Sequence, residues 1–315
     1  MERKVQVIIP MSGKGQRFID AGYKEPKPLI KVDNIPIIQH VVNLFEPSKN
    51  EFIFIINKNH SIETNIKEVL KSIVSNYKIM EIEEHKNGPV YAVFLAKDLI
   101  KDEDEVIVSY CDYGTVWNYQ YFLEENRSKD FDGAIACYKG FHPHMLGNDN
   151  YAFVREKDNI LLEIQEKKSF TNNKMNEYAS NGTYYFKSGK ILKKYFSELL
   201  SDDKNRTNGE FYVSMVYNLL VRDNLKVNIF EIQKMLQWGT PYDLENYKYW
   251  SDYFSNIIKE QKKIKNPKGT TTIFPMAGRG KRFIEEGYGI PKPFLDIDNK
   301  SMYIQSLDCL PKSDK

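Results

Sequence analysis

Apolar residues fall along the chain in two rhythms. Short runs at 5–9, 52–56 and 106–108 are rich in β-branched and aromatic residues, the composition of strands buried on both faces. Between them apolar residues recur at helical spacing. Ile62, Ile66, Val69, Leu70 and Ile73 follow Ser61, a candidate N-cap, while Val90, Val93 and Phe94, continued by Lys97, follow Gly88. Strand and helix in alternation, joined by right-handed crossovers, predict an α/β fold built on a doubly wound, mainly parallel sheet. Past residue 130 the rhythm tightens. Candidate strands at 134–138, 151–155, 160–166 and 183–187 are separated by turn residues such as Gly147-Asn148-Asp149, which predicts a smaller mixed β region. Helices resume at 189–200, at 211–221 with Met215, Val216, Leu219 and Leu220 on one face, and at 241–254, where Pro241 suits a first turn.

Residues 255–269 lose the rhythm, gather lysines around Pro267 and end at Gly269; they read as a linker. After it the sequence starts again, because residues 275–299 repeat residues 10–34 without a gap, at an offset of 265. A period that long marks a duplicated domain and not a solenoid, whose units run to roughly 20–50 residues. The organisation expected is a complete domain over 1–254, a linker over 255–269, and over 270–315 the beginning of a second module of a longer tandem chain. That beginning would hold a first strand, a glycine loop and the start of a helix, too few strands to close a sheet.

Composition narrows the class. A chain of 315 residues has room for about two domains of the usual size, and the repeat resolves that count into one whole domain and the opening of another. Forty-five basic side chains against 43 acidic ones leave a net charge of +2, which gives no electrostatic reason to expect nucleic acid or an anionic membrane surface as partner. The apolar run at 52–56 is far shorter than the roughly 20 residues that cross a bilayer. The N-terminus meets Pro10 with no small-residue cleavage site, so no signal peptide is read. Cys111, Cys137 and Cys309 form neither a disulfide framework nor a metal set, the usage expected of a reduced, cytoplasmic protein.

Candidate chemistry concentrates after the first strand, in Gly13-Lys14-Gly15-Gln16-Arg17-Phe18 and in Pro26-Lys27-Pro28. Two glycines let backbone N–H groups close on a polyphosphate, and a loop at the carboxyl end of a strand is where open α/β sheets bind ligands. Arg17 adds a fork-shaped donor for phosphate oxygens, and the flanking prolines hold Lys27 in a stiff extended segment. A glycine turn among surface cations would read the same way, but the spacing returns as Gly278, Gly280, Arg282, Pro291, Lys292 and Pro293. Phe18 stands where the dinucleotide fingerprint needs its third glycine, and no Gly-Lys is followed by Ser or Thr. Neither that motif nor a Walker loop is present.

These residues resemble those of the sugar-phosphate nucleotidyltransferases, the pyrophosphorylases that join an NTP to a phosphorylated sugar. The resemblance covers residues 5 to about 254 and implies a Rossmann-like nucleotidyltransferase fold. It implies that the loop of Met11, Ser12, Gly13, Lys14, Gly15 and Arg17 cradles the nucleotide phosphates, with Arg17 and Lys27 catalytic. Asn87 and Gly88 resemble the segment beside the base. Asp112, after the apolar strand Ile107-Val108-Ser109, resembles the acid that binds Mg²⁺, a cation that prefers oxygen ligands. Relatives often add a second aspartate where this chain has Gln237 before Trp238-Gly239-Thr240. Glu166 and Lys167 resemble the pair whose lysine takes the acceptor phosphate. Asn181 and Gly182 resemble the acceptor-pocket strand, and Glu210 the start of the helix that closes the pocket. His142 and His144 flank Pro143 and are candidates for hydrogen bonds to acceptor hydroxyls, although loop histidines are more often structural.

The reaction so implied condenses an NTP, CTP being favoured, with a sugar phosphate or polyol phosphate to give an NDP-sugar or NDP-polyol and pyrophosphate. The overall motif pattern resembles enzymes of bacterial capsule or surface-polysaccharide loci. Mg²⁺ is the implied cofactor, and a homo-oligomer is left open. Two rivals remain. A GT-A glycosyltransferase usually carries Asp-x-Asp at its metal, whereas Tyr110 and Gly114 stand two residues either side of Asp112. A non-catalytic nucleotide-binding regulatory module fits Gln237 but not the otherwise intact set of cations.

Overall fold

The computed structural model describes residues 4–261 and 271–310. Nine of the described strands form one sheet: β1 (Val5–Met11), β2 (Glu51–Asn57), β3 (Tyr77–Ile82), β4 (Glu105–Ser109), β5 (Gly133–Tyr138), β6 (Ala152–Lys157), β7 (Ile160–Glu166), β8 (Tyr178–Phe186) and β9 (Val227–Glu231). Their spatial order is β3-β2-β1-β4-β8-β5-β9-β7-β6, and β6 pairs again with β8. The apolar runs of β1, β2 and β4 are buried on both faces because alternate side chains enter different cores. Val7 and Ile9 join Ile37, Val41 and Phe45 on one side, while Ile8 joins Val90, Val93, Leu192 and Phe196 on the other.

The sheet is mixed, which corrects the mainly parallel expectation. Four pairings are parallel, β1–β2, β2–β3, β1–β4 and β5–β9. Five are antiparallel, β4–β8, β5–β8, β6–β7, β6–β8 and β7–β9. The change of direction begins at β8. Its register against β5 shifts between Ser180 and Tyr184, and Tyr178 and Ala179 also pair with β6. Strands β8, β5, β9, β7 and β6 therefore close into a five-stranded, barrel-like ring.

Local departures from the sequence reading have local causes. The helix expected after Ser61 is two, Lys58–Glu63 and Ile66–Ile73, because Thr64 between them is extended at φ −135°. Asn57 caps the first, its side chain accepting from Asn59 N–H at 2.8 Å. The same side chain donates to the Ser12 carbonyl at 3.2 Å, which ties the end of β2 to the loop after β1. The helix that starts at Pro241 runs to Gln261. Residues 255–261 of the expected linker are thus helical, and 262–269 lie outside the described residues.

Residues 1–251 and 252–315 form two compact units. Within the second, the repeat keeps the local geometry of the first copy. Gly280 caps the helix Lys281–Glu285 at φ 61°, as Gly15 caps Gln16–Asp20 at φ 71°. Phe283 N–H bonds the Gly280 carbonyl at 2.9 Å and Leu295 N–H the Lys292 carbonyl at 3.2 Å, matching 2.8 Å for Phe18 to Gly15 and 3.2 Å for Ile30 to Lys27. The expected first strand is not formed among residues 271–280. A single segment without β2 and β4 beside it has no ladder to satisfy its backbone groups. The burial is missing as well, since Leu29 is 5% exposed and its counterpart Phe294 is 53% exposed. No described helix is long and apolar enough to cross a membrane.

Candidate functional site

The site is assembled at the carboxyl ends of β1 to β4. Gly15 occupies the left-handed region that an L side chain resists, and there it turns the chain so that Phe18 packs into the core while Arg17 stays exposed. Pro26 then starts the single 3₁₀ turn Lys27–Leu29. The turn aims Lys27 back over the Phe18 ring, 5.3 Å from its centre. Lys27 Nζ donates to Asp112 Oδ2 at 2.6 Å and to the Gly239 carbonyl at 3.0 Å. Asp112 and Gly239 meet because a separate two-stranded ribbon pairs Tyr113–Val116 with Lys234–Gln237, Tyr113 opposite Gln237. Trp238 N–H then donates to the Asp112 carbonyl at 3.1 Å.

A cavity of about 700 Å³ opens here. Gly13, Lys14, Gly15, Arg17 and Lys27 line it, together with Glu84, His85 and Lys86 from the loop after β3 and Asn208, Gly209 and Glu210 from the segment before helix Val213–Arg222. Lys14 and Glu84 form an ion pair at 3.8 Å between two of these loops. His85 accepts from Asn87 N–H through Nδ1 at 3.2 Å, and burial pushes its pKa below the usual histidine value. Burial also raises the Asp243 carboxyl, an effect partly offset by the hydrogen bond from Thr240 and then by Arg17 and Lys27, and reinforced by Asp112.

Two of the expected acceptor residues, Glu166 and Lys167, lie at the end of β7. Burial pushes the Glu166 carboxyl up to about 7, and it accepts from Ser214 Oγ at 2.6 Å. Lys167 holds a left-handed backbone at φ 57°, a conformation that a non-glycine residue keeps only when its surroundings fix it. Its N–H donates to the Tyr151 carbonyl at 2.8 Å. Its ammonium donates to the Tyr212 hydroxyl, and that hydroxyl donates to Glu210.

Several expected ligands are instead engaged by the protein. His142 Nε2 accepts from Met235 N–H at 3.3 Å, and the side chain is 5% exposed. His144 Nε2 pairs with the Tyr138 hydroxyl at 2.9 Å, and burial lowers its pKa to about 3. Asn181 is turned inward, donating to Thr115 Oγ1 and accepting from Thr183 N–H, both at 2.9 Å. The Met11 side chain is core, 3% exposed. Asn87 Oδ1 accepts from Arg206 at 3.2 Å, and the Gly88 backbone is pressed against Phe211, where an added Cβ would lie 2.7 Å from the Phe211 nitrogen and oxygen. Gly182, at φ 96°, abuts the Tyr110 ring.

The sequence reading includes Tyr212 in the Gly209-Glu210-Phe211-Tyr212 segment but missed Glu84, His85, Lys86, Tyr151, Arg206 and Ser214. Ser214 follows Glu210 closely enough to have been found from that motif. The others sit on loops or strand ends without a periodic signal.

Comparison with known proteins agrees with this architecture. The chain is 24% identical over 237 residues to the bifunctional protein GlmU of Buchnera aphidicola, covering 74% of this chain and 47% of that one. It is 26% identical over 260 residues to GlmU of Methanocaldococcus jannaschii, covering 81% and 56%. The chain thus spans about half the length of the curated relatives it matches. Among solved structures, the nucleoside-diphosphate-sugar pyrophosphorylase of Vibrio cholerae superposes with a TM-score of 0.64 at 21% identity, over 77% of this chain and 99% of that one. The inositol-1-phosphate CTP transferase of T. maritima superposes with a TM-score of 0.62 at 16% identity, over 79% and 96%. Both share the fold. The family model for nucleotidyl transferase matches residues 6–266, most of the chain and all nine strands of the sheet, and the protein belongs to that family.

Proposed function

We propose that the protein transfers a nucleotidyl group from an NTP to a sugar phosphate or polyol phosphate, releasing pyrophosphate. One observation carries this reading: the glycine loop and Lys27 line one cavity, and Asp112, 85 residues further along the chain, is held behind Lys27 at 2.6 Å. CTP is the nucleotide we expect from the motif pattern, and capsule or surface-polysaccharide synthesis is the setting.

Both reactants are anions, and at about 4 Å two unit charges repel by about 4 kcal/mol at an effective dielectric near 20. Cations therefore have to line the path. In this reading the loop N–H groups and Lys14 hold the polyphosphate, Arg17 binds the leaving pyrophosphate, Lys27 follows charge developing on the α-phosphoryl group, and Lys167 draws in the acceptor phosphate. An acceptor oxygen attacks the α-phosphorus and the bond to pyrophosphate breaks. Phosphate is already ionised at neutral pH, so positioning and electrostatics suffice without a general base. Glu166, Ser214 and Tyr212 remain to orient the acceptor.

Among the described residues no three His, Cys, Asp or Glu side chains group closely enough to hold a metal, and one Asp112 oxygen is on Lys27. That donor set fits a divalent cation arriving with the nucleotide, because Mg²⁺ takes one or two carboxylates and fills its shell with phosphates and water. Asp112 would hold it, and the ion would supply charge neutralisation at the α- and β-phosphates.

The test is pyrophosphate release with each of the four common NTPs against a panel of sugar and polyol phosphates. Release with one acceptor class is expected. Transfer from an NDP-sugar with no pyrophosphate would favour a glycosyltransferase, and nucleotide binding without turnover a regulatory module; either overturns the proposal. Preference for UTP, GTP or dTTP would replace CTP and leave the reaction class intact.

A further inference from the structure

We propose that Arg206 is a positioning residue that clamps the nucleotide side of the cavity to the acceptor side, so that a nucleotide bound at the glycine loop orders the segment carrying Glu210 and Tyr212. The inference rests on the nucleotidyl-transfer reading but concerns a residue outside the motifs that led to it.

The Arg206 guanidinium is engaged on one face and through Nε and Nη1. It lies over the Phe211 ring with Cζ 4.1 Å from the centre. Nη1 donates to Asn87 Oδ1 at 3.2 Å and to the Gly209 carbonyl at 2.8 Å, and Nε donates to Asp203 Oδ1 at 2.7 Å. Stacking and forked donation together are what a planar guanidinium offers and an ammonium lacks. The residues it joins belong to different parts of the site. Asn87 follows the cavity-lining Glu84, His85 and Lys86, whereas Gly209 and Glu210 line the cavity themselves. The backbones are joined at the same place, Phe211 N–H to the Asn87 carbonyl at 3.0 Å and Val90 N–H to the Phe211 carbonyl at 3.2 Å. From there the contacts run on through Glu210 and Tyr212 to Lys167, and through Ser214 to Glu166.

Arg206 itself does not line the cavity, so it acts through these partners. Nor is it placed to hold the fold together. Its side chain is 28% exposed and its ion-pair partner Asp203 is 84% exposed, a pairing that contributes little to stability. The work left for such a residue is to make loop 84–88 and segment 207–212 move as one.

Hydrogen exchange of the full-length protein reads this directly. The probes are the four NTPs, each with Mg²⁺, using whichever slows exchange at residues 12–18. In the wild type, that nucleotide is expected to slow exchange over 207–217 as well, by at least about 5-fold, the low end of typical couplings between sites. In Arg206→Ala, protection at 12–18 should persist while that over 207–217 is lost. Arg206→Lys should behave like Ala, and millimolar guanidinium should restore the coupling to the Ala variant only. Nucleotide protection confined to 12–18 in the wild type, or undiminished over 207–217 in both variants, would overturn the proposal, and the wild-type arm decides even if a variant does not fold. So would loss of protection over 207–217 that guanidinium leaves unrestored, because that marks a purely structural role. Absence of protection at 12–18 in the wild type with every NTP would overturn both this inference and the nucleotidyl-transfer reading. Steady-state rates give a second readout, in which Arg206→Ala raises the acceptor KM by a larger factor than it lowers kcat.

Discussion

If Asp112 receives a divalent cation, the ion meets a carboxylate whose Oδ2 is already on Lys27, and Lys27→Met exposes that competition. The methionine keeps an apolar stem over Phe18 and removes the ammonium that lies 2.6 Å from Asp112 Oδ2. The two side chains are 17% and 29% exposed, between a surface pair, which contributes under about 1 kcal/mol, and a buried pair, whose breakage costs about 3–5 kcal/mol. A value of about 1–3 kcal/mol follows for what a metal must displace, and with tenfold per 1.4 kcal/mol it predicts Mn²⁺ binding about 5- to 150-fold tighter in Lys27→Met than in the wild type. Free Mn²⁺ measured by electron paramagnetic resonance, in the absence of nucleotide, gives both constants, and Asp112→Asn in the Met background should abolish the gain. Pyrophosphate release should fall in Lys27→Met although the metal binds better, because a charge needed in the transition state is gone. Equal or weaker Mn²⁺ binding in a folded Lys27→Met protein would refute the reasoning.

Three further outcomes follow from the same geometry. Gly88→Ala places a Cβ 2.7 Å from Phe211 backbone atoms at φ 84°, so clash and backbone strain together should cost about 2–4 kcal/mol and lower Tm by about 5–15 °C; a scanning-calorimetry shift under about 2 °C would show that the loop has slack. Glu166 has its pKa raised from 4.5 to about 7 by burial, so the folded state favours its neutral form. Its contribution is whole below pH 4.5 and lost as pH rises through 7, about 3 kcal/mol in all. Glu166→Gln should match the wild type in urea unfolding at pH 4 and exceed it at pH 8, and parallel stability across that range would contradict the burial. A chain ending at residue 261 should fold and release pyrophosphate as the full chain does, since all nine strands of the sheet precede that point; loss of either would refute the domain division.

The strands that sequence alone locates best are those with the simplest surroundings. β1, β2 and β4 are walled by apolar side chains on both faces, so each reads as a continuous run. β3 escaped notice because it is an edge strand in which Lys78 and Glu81 interrupt the apolar positions, and β9 because Asn228 breaks a short run to bond Asn126 inside the core. Ring closure is harder still, since Tyr178 pairs with Val154 through a contact that no local period encodes. In the candidate site, the glycine loop and Lys27 stood out because phosphate chemistry restricts which residues serve, and Asp112 because its strand-end position resembles the family's metal-binding acid. Asn181, His142 and His144 show their type in the sequence but not that the fold engages them with Thr115, Thr183, Met235 and Tyr138. Arg206 was invisible for the converse reason, as its partners lie 119 residues upstream at Asn87 and just beyond it at Gly209.

The duplicated segment has a consequence for how the glycine loop acquires its shape. Residues 280–302 reproduce the turn, the short helix and the placement of lysine over phenylalanine, 5.1 Å in Lys292 against 5.3 Å in Lys27, with no parallel strands alongside. The shape is therefore written within some two dozen consecutive residues and owes little to the sheet that supports it in the first copy. A loop whose shape is set locally is preorganised for its ligand, and on that ground association should lose little affinity to freezing it. Variation in affinity among relatives would accordingly arise in the longer-range parts, the ribbon that delivers Asp112 and the segment behind Glu210, while the loop itself stays portable between proteins.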